Sequence, residues 1–170
     1  NSITAAGVVL VFHKDNTKGW TKLTKITPTG LNARNIGYNF GFSIDLDSTN
    51  LKLVASAINH KYDAAGLSQS GVSGAAWTFG STKDDISTWT QIHKLSGTGA
   101  ERTSTDKFGI AASYNKAGYL AIADQNTNDS WYENSVDGTG SVSIYKSSQN
   151  RPGVTLDGPS AYIEVSSVAT

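Results

Sequence analysis

Apolar residues along the chain alternate with polar ones or gather into short β-branched runs, without a sustained spacing of three to four residues. This alternation predicts strands at Val8–Phe12, Trp20–Ile26, Phe40–Leu46, Leu51–Ala57, Ala75–Phe79, Trp89–Leu95, Phe108–Tyr114, Tyr119–Asp124, Val142–Lys146 and Ala161–Val165. Between them lie polar clusters such as HKDNTKG, DSTN, GSTKDD, NKAG and SSQNRPG. Glycine reaches the backbone conformations that tight turns need, while Asn, Asp and Ser side chains hydrogen-bond back to the nearby main chain. Many short strands with this punctuation predict an all-β fold.

The apolar blocks also recur. GVVLVF at 7–12 is answered by GAAWTF at 74–79 and GSVSIY at 140–145, offsets of 67 and 66. WTKLTKI at 20–26 returns as WTQIHKL at 89–95, an offset of 69. Phe40–Gly41 returns as Phe108–Gly109, and LKLVAS at 51–56 falls on YLAIAD at 119–124, both at 68. Blocks in constant order at nearly constant spacing predict a repeat array. The repeat-length segments are 7–73 and 74–139, with 140–170 holding a partial third unit and C-terminal strands. Matching positions in successive copies predict that Trp20, Trp89, Phe40 and Phe108 serve packing between units. Gly41 and Gly109 are expected where backbones approach closely or a strand bulges.

One unit thus holds four strands: a Phe-Gly strand, an apolar Leu/Val/Ala strand, a Gly-led strand ending in an aromatic, and a Trp-Thr strand. The blocks resemble the FG-GAP repeat of integrin α-chain β-propellers. The resemblance rests on Phe40–Gly41 and Phe108–Gly109, on Val54–Ala55 and Ile122–Ala123, and on the Gly-led strands followed by tryptophan; it covers about residues 7–146. It implies repeated four-stranded antiparallel units stacked as propeller blades. The family's GAP tripeptide is replaced by Ala55-Ser56-Ala57 and Ala123-Asp124-Gln125, and its acidic calcium loop by DLDSTN in one copy and the acid-free NKAG in the other. The chain starts with the last two strands of one unit, holds one full unit, then three strands of another. The tail 153–170 is expected to add two strands, one option being pairing with the N-terminal strands. Three closures follow: part of a larger propeller, a ring completed by several copies, or a compact β-sandwich or barrel.

In a meander of this kind the short connections emerge at one end of the units and the long ones, 27–39, 58–73, 96–107 and 125–139, at the other. Long loops on a rigid scaffold are the usual place for recognition. They carry Arg34, His60, Tyr62, Asp63, Trp131, Tyr132 and Glu133, which become the candidate ligand-binding residues. Trp and Tyr suit sugar faces or protein pockets, because they offer large contact area at small entropy cost.

Composition narrows the chemistry. The 14 basic and 14 acidic residues cancel, which argues against a nucleic-acid or anionic-membrane partner. No apolar stretch is long enough for a membrane helix, and with no cysteine there is neither disulfide nor thiol nucleophile. His13, His60 and His93 lack metal-ligand spacing, and the glutamates Glu101, Glu133 and Glu164 sit in no repeated frame. Asp45, Asp47 and Asn50 could offer oxygens to calcium, but three fall short of the six to eight it takes, so no cofactor is expected. The leading expectation is a non-enzymatic structural or adhesion module, extracellular or on a virion surface. Its partners would be other subunits, copies of itself, or a cell-surface protein or glycan. The alternatives are a carbohydrate-binding domain and a polysaccharide-active hydrolase using Glu133 with Asp137 or Asp63.

Overall fold

Each of the ten alternating segments contributes a strand to the structure, a computed structural model that describes residues 7–28, 39–60, 74–96, 107–127, 139–146 and 161–165. The fold of these residues is all-β. Strands β1 (Val9–Asp15) and β2 (Gly19–Ile26) form a two-stranded ribbon. Strands β3 (Ile44–Asp47), β4 (Lys52–Ala57), β5 (Ala75–Gly80) and β6 (Thr90–Leu95) form an antiparallel sheet in chain order. Strands β7 (Ala111–Tyr114), β8 (Tyr119–Thr127), β9 (Thr139–Lys146) and β10 (Ala161–Val165) form another. The tail 153–170 thus supplies one described strand beside the three read from the repeats, and the other strand expected there lies outside the described residues. Strand β10 pairs with β9, Ala161 opposite Ile144 and Val165 opposite Gly140, and supplies the fourth strand itself instead of joining β1 and β2. No barrel closes among the described residues.

The three sheets stack face on face, and β4 and β5 in the middle are buried almost throughout. Period two sends alternate residues to opposite seams. Leu53, Ala55, Ala57, Ala75, Trp77 and Phe79 join Val9, Val11 and Ile26 of the ribbon, with Phe40 between. Val54 and Ala76 join Phe108, Leu120, Ile122 and Tyr145 of the last sheet. In both seams the largest side chains, Trp77 and Phe79 in one and Phe108 and Tyr145 in the other, come from the later sheet. They meet small or β-branched residues of the earlier one, while Ala55, Ala57 and Ala75 fill the rest of the first seam. Phe40 stands edge-on to both Trp77 (5.6 Å) and Phe79 (6.2 Å). Full burial of such side chains stabilises by about 1.5–3 kcal/mol each.

The Phe-Gly pairs, expected to begin strands, lie just before them. Phe40 makes an isolated parallel bridge with Gly7 and Phe108 one with Gly74, so each phenylalanine ties its own sheet to the preceding one. Gly74 has φ 96°, and a Cβ there would stand 2.6 Å from the backbone nitrogen of Phe108 and closer still to its carbonyl oxygen. Only glycine fits such an approach. Gly109, at φ 89°, follows the same logic, since a Cβ would lie 2.7 Å from that of Ser56.

Register shows one further difference from the sequence reading. Gly41 N–H donates to the Ser56 carbonyl, and Gly109 N–H to the Ala123 carbonyl, so Ser56 corresponds to Ala123 at an offset of 67 rather than 68. The cause is the hairpin loop. Asp47 pairs with Lys52 around four residues, whereas Asn115 N–H bonds to the Tyr119 carbonyl around three. A one-residue slip exchanges strand faces. The structural partner of Ala55 is therefore Ile122, and both face the preceding sheet.

Candidate functional site

Three surfaces come out of this architecture, and their short connections are built alike. Asp15 Oδ1 accepts from Thr17 N (2.8 Å), Thr17 Oγ1 (2.5 Å) and Lys18 N (2.9 Å) in the β1–β2 turn. Asp47 Oδ1 accepts from Thr49 N and Asn50 N in the β3–β4 turn, and its Oδ2 from Asn50 Nδ2 (2.6 Å). Asp85 Oδ1 accepts from Ser87 N, Ser87 Oγ and Thr88 N between β5 and β6, and Asn115 Oδ1 from Ala117 N and Tyr119 N between β7 and β8. One carboxylate or amide thus satisfies the backbone donors of each hairpin. Hydrogen bonds led by the Thr17 side chain hold the Asp15 carboxyl at about 2, and those led by the Ser87 side chain do the same for Asp85. Burial opposes ionisation of Asp47, yet the Asn50 side chain and the Asn50 and Thr49 amides together hold its carboxyl below the usual range.

These contacts account for the residues first considered for calcium. Asp45 Oδ2 accepts from Tyr114 N (2.6 Å) and Ser113 Oγ (3.0 Å), and Ser43 Oγ accepts from Ala112 N (3.0 Å), so β3 side chains grip the edge of β7. Asn50 Nδ2 reaches the Lys116 carbonyl at 3.4 Å, linking neighbouring hairpins. Burial first, then the nearby Asp47 and Asp45, push the Tyr114 phenol well above its ordinary range. No group of three or more His, Asp or Glu that could hold a metal occurs among the described residues.

At the opposite end lie the long connections. Trp131, Tyr132, Glu133, Tyr62, Asp63 and Arg34 fall outside the described residues, as does Asp137. His60 is described and is 1% exposed, with its ring edge-on to Trp77 at 5.1 Å, so it sits in the core at the end of β4. Its carbonyl accepts from Gly74 N (2.7 Å), which closes the end of the 61–73 connection. Lys107 Nζ donates to Asn59 Oδ1 (3.1 Å) and Lys107 N to Asp124 Oδ1 (3.1 Å), joining the two four-stranded sheets at this end.

The third surface is the outer side of the ribbon and the neighbouring face of β3, and it is apolar. Leu10 and Phe12 are about half exposed, and Trp20 is 69% exposed. The expectation that Trp20 packs between units is corrected: no sheet lies over it among the described residues. Its counterpart Trp89 does pack against the seam, donating from Nε1 to the Ile86 carbonyl (3.0 Å). The ribbon repeats the fine structure of β5 and β6. Both pairs slip register at corresponding places, between Val11 and Phe12 and between Thr78 and Phe79. Leu10 faces Lys25 across the ribbon as Trp77 faces Lys94. On β3 and just before it, Phe42, Ile44 and Leu46 are also about half exposed.

Sequence reasoning placed the candidate residues on the long loops and named none on this face. The signal was present in the alignment of Val8, Leu10 and Phe12 with Ala75, Trp77 and Phe79, which marks a face built to be covered. Comparison with protein-family models and with curated proteins returned no match.

Proposed function

We propose that this chain is a non-enzymatic structural or adhesion module of an extracellular or virion surface. In this reading its stacked sheets are blades of a β-propeller of the FG-GAP kind, and it works by assembling with other subunits or with copies of itself. The observation that carries the proposal is the half-exposed apolar row of Val8, Leu10 and Phe12 with Trp20 on the outer ribbon face. Contiguous exposed apolar surface of this kind marks an interaction site. The residues matching Val8, Leu10 and Phe12 in the next unit, Ala75, Trp77 and Phe79, are buried under a neighbouring sheet, and Trp89, which matches Trp20, is partly covered. Further support comes from Asp15, Asp45, Asp47, Asp85 and Asp124, all of which hold turns or sheet edges by hydrogen bonds.

The large-against-small rule of the two seams also favours a head-to-tail partner. The open ribbon face offers the large side chains. The far face of the last sheet offers Ala121, Ala123 and Val142, all partly exposed. A heterologous contact between two such faces generates rings or filaments. Light scattering on the chain at micromolar concentration tests the proposal. It predicts association that disappears in the double variant Leu10→Asp, Phe12→Asp, with the melting temperature little changed. A wild-type chain that stays monomeric throughout would remove the assembly reading.

A further inference from the structure

The two seams are alike in their centres and unlike at one edge. In the seam between the four-stranded sheets, β7 lies across β3 and β4. Ala112 and Tyr114 of β7 pack into the core there, with Ile110 half-buried just before them. The positions that match Ile110, Ala112 and Tyr114 one unit earlier are Phe42, Ile44 and Leu46. These are 50%, 57% and 47% exposed. Nothing among the described residues covers them, because the ribbon consists of β1 and β2 alone. In the next sheet β5, the counterpart of β1, pairs with β4 as well as β6, whereas β1 pairs with β2 only. An open strand edge beside an open apolar face is one vacancy with a definite shape.

We infer that the free edge of β1 and the bare face of β3 together form a seat for an antiparallel β-hairpin of the same repeat. The inference rests on the stacked-unit reading above but uses a different surface from the outer ribbon face. The internal copy specifies the occupant. Its second strand pairs with β1 as β4 pairs with β5. Its first strand lies against Phe42, Ile44 and Leu46 as β3 lies against Ile110, Ala112 and Tyr114. In the filled seam Ser43 and Asp45 accept from the amides of Ala112 and Tyr114. The occupant's first strand should therefore carry short oxygen acceptors two residues apart, one aimed at the amide of Ile44 and one replacing Asp45 Oδ1, which now accepts from the amide of Leu46 (2.9 Å). A glycine-led bridge like that of Gly74 with Phe108 is not needed at this edge. A second copy of the chain is a poor occupant, since its hairpins are already engaged: β4 is flanked by β3 and β5, and β8 by β7 and β9.

The test extends the full chain at its N-terminus with an added copy of residues 39–73, residues 1–6 remaining as part of the link to Gly7. Hydrogen exchange by mass spectrometry and thermal melting are compared with those of the original chain. The expected result is at least tenfold slower exchange across β1, protection of the added strands, and a higher melting temperature. Changing Ile44→Lys and Leu46→Lys in the receiving strand alone should cancel all three. Those two side chains are half exposed, so the original chain should keep its melting temperature when they are changed. An added segment that exchanges like a free peptide, with β1 unaltered, would overturn the inference. Concentration-dependent protection of β1 in the unextended Leu10→Asp, Phe12→Asp variant, which cannot associate through its outer face, would overturn it too, by making a second copy the occupant. Hairpin capture without self-association through Leu10 and Phe12 would retain this inference and remove only the assembly reading.

Discussion

Strands β1 and β5 hold the same place in successive sheets, share a register slip, and face a lysine at the same position, yet their surroundings are opposite. Trp77 in β5 is 1% exposed, and Leu10, its counterpart in β1, is 46% exposed. The difference is not in the strands. Among the described residues, β5 lies mid-stack with a sheet on either side, and β1 lies at the end with a sheet on one side only. Local pattern therefore determines which residues share a face, while position in the stack determines whether that face is buried.

The comparison can be broken most severely at Trp77. Trp77→Ala would leave a cavity between Phe40, His60 and Phe79, and should cost about 3–5 kcal/mol in chemical denaturation. Leu10→Ala, at the matching place, should stay within about 0.5 kcal/mol, as surface substitutions do. If both variants lost the same stability, the ribbon face would be covered in solution. Part of the Trp77 cost is offset because its Nε1 is buried without a hydrogen-bond partner among the described residues.

A smaller contrast lies in the glycines. Gly74→Ala meets the backbone of Phe108 and a left-handed φ together, whereas Gly19, at φ 74°, would have nothing within 4 Å of an added methyl. Gly19→Ala should cost only the conformational penalty, about 1–2 kcal/mol. Gly74→Ala should cost clearly more and loosen the seam between the four-stranded sheets, seen as faster exchange at Gly109 and Ala112. Equal costs would mean that the Gly–Phe bridge contributes nothing to stacking.

The smallest expected effect is on the turns. Asp15 and Asp85 have folded-state carboxyls at about 2, below the ordinary 3.8. A depressed carboxyl favours the folded state above its unfolded value, and that contribution fades as pH falls from about 4 toward about 2. Melting temperature should therefore decline over this window, and Asp85→Ala should flatten part of the decline. A variant as acid-sensitive as the parent would assign the effect to other carboxylates. Both groups are exposed, so the shift in each case should be small.

Much of this architecture was legible in the sequence because strand alternation and glycine punctuation are local. All ten predicted strands are present, and the order of strands within a unit is the order within each sheet. What could not be read depended on neighbours. The pairing of β10 with β9 lies across the connection 147–160, and nothing local to β10 says which strand it will choose as a partner. The register of β8 turned on a loop one residue shorter, invisible when YLAIAD is laid on LKLVAS by similarity alone. Trp20 and Trp89 are the same letter in the same motif, and only the number of sheets on each side distinguishes them. His60 looked like a loop histidine because the chain beyond it is polar, although its own side chain turns back onto Trp77. The role of Asp45 as a clamp on β7 needed a partner 69 residues away.

The four hairpins closed by their own Asp or Asn side chains have a consequence for the order in which the chain takes shape. Each such turn draws its hydrogen bonds from within a few residues, so it is complete as soon as its own segment exists. The ribbon, then the central meander, then the last one can form in the sequence of synthesis, each using the previous sheet as its template. Late-made residues then have only one surface to find. Strand β1, made before the other described strands, needs its edge shielded for as long as no partner strand covers it.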